Sequence, residues 1–226
     1  MSETAGTAGT RMQAPALAET AEELSYELRC AEGATWTAGK LLVGIGAFFY
    51  VGLGFAYFYL RSANDLNLWR PHNMTAPIDL GAVIFSLVAA SAVINIYVTV
   101  RLRRGVRSDW EVAGWAAVFG LLLATAMQIW ELTRLGFAPA TSGYSSLFVA
   151  WAGMNIATLL IGAYWLETLL ARTIRLRRAV AEDGGPSRSP QPAARLWRAN
   201  LESVTYFLGF VGLVNLLFWL FFYVLV

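Results

Sequence analysis

Few side chains in the apolar stretches of this 226-residue chain could do chemistry. Gln128 and Glu131 stand three residues apart, so a helix would hold them on one face. A carboxylate there could act as an acid, a base or half of an ion pair. Asn155 and Thr158 repeat that spacing, while Asn95 and Asn215 stand alone in other apolar runs. Amides and hydroxyls do not titrate near neutral pH, so these positions are not expected to relay protons. Across membrane helices such groups hydrogen-bond instead, at ~0.6 to 2 kcal/mol each. Glu167 precedes Arg172 by five residues and is expected to snorkel toward water. His72 and Cys30 are the only residues of their types. A lone histidine and a lone cysteine exclude a paired-histidine haem, a multi-histidine copper site, most zinc sites and an intrachain disulfide. Neither a nucleophile–base pair nor a phosphate loop is evident.

These residues need elements to position them, and the composition says which. Hydrophobic residues make up 57% of the chain and charged residues only 14%, against about 25% charged in an average soluble domain. The net charge is +2, so no basic surface for nucleic acid is implied. Five runs carry no charge: 41–60, 80–100, 112–130, 135–166 and 203–226. A hydrocarbon core of ~30 Å needs about 20 helical residues, and each run is long enough. The expected fold is all-α: a polytopic membrane bundle with five transmembrane helices over about 38–60, 77–100, 111–135, 143–172 and 200–226. These form one domain, 38–226, after an acidic tail, 1–37, read as partly disordered with a short amphipathic helix over 17–29. The second and fourth loops carry eleven arginines, against three in the first and third. The positive-inside rule then places the N-terminus in the cytoplasm and the C-terminus outside. The stretch 182–195, with three prolines and two glycines, reads as a flexible linker.

Within this frame Glu131 lies roughly 30 Å along the third span, at its outer boundary. Arg134 follows one turn later, so an interfacial Glu–Arg pair is expected there, with a polar contact to a partner subunit as the alternative. Small residues, among them Gly46 and Gly52 on the first span and Ala90 on the second, read as helix-packing surfaces. Gly153 on the fourth span belongs with them.

The order of motifs resembles subunit III of the haem–copper (cytochrome c) oxidases, in a five-helix bacterial form. Gly46-Ala47-Phe48-Phe49-Tyr50-Val51-Gly52-Leu53 and Ala56-Tyr57-Phe58-Tyr59-Leu60-Arg61 look like that family's first helix. Trp69-Arg70-Pro71 is similar to its Trp-Pro-Pro, Gln128-x-x-Glu131 to its Gln-x-x-Glu, and Tyr144-Ser145-Ser146-Leu147-Phe148 to its Tyr-Gly-Ser-x-Phe. Gly153 and Gly162 fall on family glycines, and Leu213 to Phe218 resemble the closing helix. The likeness covers about residues 40–226. This chain departs at the family's ionisable centre. The family's buried Glu aligns with Gly46, its paired His with Asn155 and Thr158, and its final His and Asp with Gly212 and Asn215.

The resemblance implies a divergent, non-catalytic accessory subunit in the inner membrane of a bacterium, serving aerobic respiration. Its partners would be the catalytic subunit I and subunit II, which hold haem and copper, together with phospholipid in a cleft of the bundle. It implies no cofactor bound by this chain beyond lipid. An accessory protein of a nitric oxide reductase fits the same likeness. A small transporter or channel would need a midplane ionisable site and a repeat, which the sequence does not offer.

Overall fold

The computed structural model describes the backbone of residues 9–64, 69–70, 74–104, 110–182 and 191–225. Side chains are described for 22–64, 69–70, 74–104, 110–175 and 195–225. Five helices follow one another: α1 (Gly9–Ser62), α2 (Ile78–Arg103), α3 (Trp110–Arg134), α4 (Gly143–Glu182) and α5 (Gln191–Trp219). A π-helical turn, Leu220–Val224, continues α5. All five helices are long and apolar enough to cross a membrane, and no strand occurs among the described residues. The fold is a multi-pass helical bundle.

α1 differs from expectation. It is one unbroken helix of 54 residues, so the acidic stretch from Gly9 onward is helical. Residues 1–8 lie outside the described residues. The physical reason is propensity with a ready nucleus. Ala, Glu, Leu and Arg favour helix, and the membrane span supplies the first turn that an isolated segment would have to form unaided. The linker read over 182–195 is shorter, because α4 continues to Glu182 and α5 begins at Gln191.

α2, α3 and α4 pack side by side, and α5 closes the bundle by packing against α2, α4 and α1. α1 lies outside, resting mainly on α5. Two apolar cores stack along the bundle. Toward the arginine-rich ends, Leu121, Leu159, Leu166, Leu170, Val204 and Leu208 interlock. Toward the other end the core is aromatic, built on Tyr57, Tyr144, Phe148, Trp151, Phe218 and Phe222. The seam between the two cores holds the polar residues.

Candidate functional site

The seam is one connected hydrogen-bond chain across four helices. On α4, Asn155 donates from Nδ2 to Gln128 Oε1 of α3 at 3.0 Å. Asn215 of α5 donates from Nδ2 to Asn155 Oδ1 at 2.9 Å and to its own turn at Val211 O, 3.0 Å. Gln128 Nε2 donates to Glu131 Oε2 at 2.6 Å. The Tyr223 hydroxyl donates to Glu131 Oε1, also at 2.6 Å. One turn along α4, Thr158 Oγ1 pairs with the Tyr50 hydroxyl of α1 at 2.9 Å and donates to Asn155 O at 2.9 Å. Gln128, Glu131 and Asn155 are each 0% exposed, and Asn215 2%.

Helical periodicity explains the convergence. Gln128 and Glu131 continue the face of α3 that buries Leu121 and Ala124. Asn155 and Thr158 share the face of α4 that buries Trp151 and Leu159. The amides align head to tail: the donor of Asn215 meets the acceptor of Asn155, whose donor meets the acceptor of Gln128. All three point their N–H groups toward the carboxylate, whose two oxygens both accept. Bonds in such a series polarise one another and strengthen. The amides do not titrate near neutral pH, and their bonds tie α3, α4 and α5 together.

Five of the residues singled out in the sequence meet here: Gln128, Glu131, Asn155, Thr158 and Asn215. Glu131 corrects the expectation attached to it. It does not pair with Arg134, which is exposed with its guanidinium over the Trp130 ring at 5.2 Å. Nor can a fully buried carboxylate touch a partner. Nearer donors on α3 and the π turn satisfy it instead. Asn95 belongs to a separate pair, donating to Thr205 Oγ1 at 2.8 Å on α5, where Thr99 joins it. Glu167 is exposed and apart from both.

Of the packing residues, Gly46 is buried, and a Cβ there would meet the Phe210 ring at 3.0 Å. Gly52, Ala90 and Gly153 are exposed on the bundle's outer face. No atom lies within 4 Å of a Cβ at Gly52 or Gly153. Their small size serves no helix contact inside this chain. His72 lies outside the described residues.

Tyr50 and Tyr223 complete the centre. Their signal in the sequence is that a tyrosine deep in an apolar run needs a partner for its hydroxyl. The remaining buried tyrosines obey the same rule. Tyr57 and Tyr144 donate to Phe221 O and Phe222 O at 2.7 and 3.0 Å, which caps carbonyls at the end of the π turn. One close approach seats Tyr223. A Cβ on Gly81 of α2 would lie 2.3 Å from its ring, so only a bare backbone leaves room.

Near the arginine-rich end a groove of about 310 Å³ opens between α1, α4 and α5. Leu42, Ile161, Trp165 and Leu169 line it, with Arg172 and Asn200 among its polar residues. Among the described residues no group of three His, Cys, Asp or Glu could hold a metal. No family model matches the chain, and no curated protein matches it.

Proposed function

We propose that this chain is a subunit III-like accessory component of a haem–copper terminal oxidase. It would stabilise the catalytic subunit by helix packing and bound lipid. One observation carries the reading. Five residues taken from the motif-bearing helices of the resemblance, Gln128, Glu131, Asn155, Thr158 and Asn215, form a single bonded centre. Asn155, Thr158 and Asn215 stand where the family holds ionisable groups, while Gln128 and Glu131 keep its pattern, which suits a scaffold.

In this reading the N-terminus is cytoplasmic and the C-terminus periplasmic, in the inner membrane of a bacterium. Haem and copper reside in subunits I and II. Phospholipid occupies the groove at Leu42 and Trp165, with Arg172 beside its phosphate, because an apolar trough ending in a cation at the boundary fits an acyl chain and an anionic headgroup. The test is purification of the tagged protein from its native membrane, with absorption spectra of whatever co-migrates. Co-migrating haem with copper in one stable complex supports the oxidase. Haem b and c without copper points to a nitric oxide reductase, and the absence of any haem protein overturns both.

A further inference from the structure

α1 outlasts the helix it packs against. Its inner face buries Gly39, Gly46, Tyr50 and Tyr57. A Cβ on Gly39 would lie 3.1 Å from Ser203, and one on Gly46 would lie 3.0 Å from Phe210. The Tyr57 hydroxyl reaches Phe221 O at 2.7 Å. These three pairs keep one register, so α1 and α5 run parallel, and Gln191, where α5 starts, falls level with Glu27. Beyond that level α5 lends α1 no cover.

The packing face does not stop there. Eighteen residues complete five turns of α-helix. Leu28 therefore repeats the position of Gly46, Leu24 that of Leu42, and Ala21 that of Gly39. Leu17 continues the series, and the four-three-four spacing from Leu17 to Leu28 is that of a helix–helix seam. Burial follows the end of α5: Leu28 is half-buried, whereas Leu24 is 54% exposed. The face that grips α5 thus runs on without an occupant.

Charge decides what kind of helix fits. Glu22 and Glu27 flank the seam on opposite sides. With Glu23 they are exposed and form no ion pair among the described residues. Gly9 to Trp36 carries five glutamates against Arg11 and Arg29. A second copy, held parallel by the membrane, would set like charges side by side. Each seam also lies above its own bundle, so two seams could meet only if the bundles overlapped. An anionic leaflet repels the same acids.

We propose that the projecting part of α1 is a docking surface for a basic amphipathic helix of another protein. The partner's apolar face covers the seam where α5 ends, and its Lys or Arg side chains reach Glu22 and Glu27. This role goes beyond the accessory one and does not depend on which complex the chain joins.

The test uses the full chain in an uncharged detergent. The probe is a fluorescein-labelled three-heptad helical peptide with Leu along its seam and Lys beside it, read by fluorescence anisotropy. Saturable binding is expected, weakening as salt rises. Leu24→Gln should weaken it about tenfold. Glu22→Gln combined with Glu27→Gln should weaken it about threefold and flatten the salt dependence. All variants should melt as the wild type does, because these side chains stand clear of α5. A peptide with Glu in place of Lys, or Ser in place of Leu, should bind more weakly. Absence of saturable binding, wild-type affinity in Leu24→Gln, or equal affinity for the Glu peptide overturns the proposal. So does a lower melting temperature in Leu24→Gln, which would mean that the seam is already covered within this chain. A dimer in light scattering that Leu24→Gln dissociates also overturns it, in favour of a second copy.

Discussion

Asn155 uses both ends of its amide, accepting from Asn215 and donating to Gln128. Replacing it with Leu leaves a buried acceptor on Gln128 and a buried donor on Asn215. The expected loss is about 2 kcal/mol, read as a lower melting temperature of the detergent-solubilised protein. Asn95→Leu should add its own effect independently, because Asn95 shares no partner with Asn155. Gly81→Ala should cost about 1–3 kcal/mol by pushing the Tyr223 ring off its seat. Combining it with Tyr223→Ala should give much less than the sum of the two single effects, which a double-mutant cycle on melting measures. Much of this centre was legible as residue types. A Gln, a Glu and three amide or hydroxyl residues in apolar runs announce themselves. Partner choice was not legible. Glu131 has Arg134 one turn away on the same helix, and only the tertiary approach of Tyr223 supplies a better donor. Nothing local marks Gly81 as the residue that lets it approach.

Helices in lipid are apolar on every side, and this limits what their sequences reveal. The runs free of charge locate the spans, since length and hydropathy suffice for that. They do not say which face turns inward, because the hydrophobic contrast that marks a soluble helix is missing. Gly46 and Gly52 illustrate the point. They are six residues apart on α1 and equally small, yet one faces Phe210 and the other faces outward. Gly46→Leu should therefore lower the yield of folded protein, while Gly52→Leu should leave the melting of the isolated chain unchanged. Size-exclusion recovery and a melt on the same samples decide. The connection between α3 and α4 offers a contrasting case, in which the local backbone dominates. Ala140 holds a positive φ of 67°, where a side chain is disfavoured. Ala140→Gly is expected to stabilise by roughly 0.5–1 kcal/mol, a rise in melting temperature.

At the scale of the whole molecule, the outer surface needs a bilayer. Phe48 on α1, and Val112 and Phe119 two turns apart on one face of α3, are exposed by 67% or more. Phe119→Asp should impair insertion by about 2.5–3.5 kcal/mol, seen as loss of protein from the membrane fraction. Arginine placement gives the proposed orientation, and the single native thiol makes it testable. Cys30 is exposed. With the N-terminus inside, a membrane-impermeant maleimide should label Cys30 only in opened vesicles. Ala138→Cys, in a Cys30→Ser background, should label in intact cells.

α1 keeps its helical course well before its charge-free run begins. From Gly9 to Trp36 it has the axial length of about 40 Å. A rod rooted in the bundle beside α5 cannot swing independently of it. Its Gly9 end is therefore held at a set distance from the charge-free run. A spin label on Cys30, about 16 Å before the charge-free run, would move with the membrane domain and report its tilt.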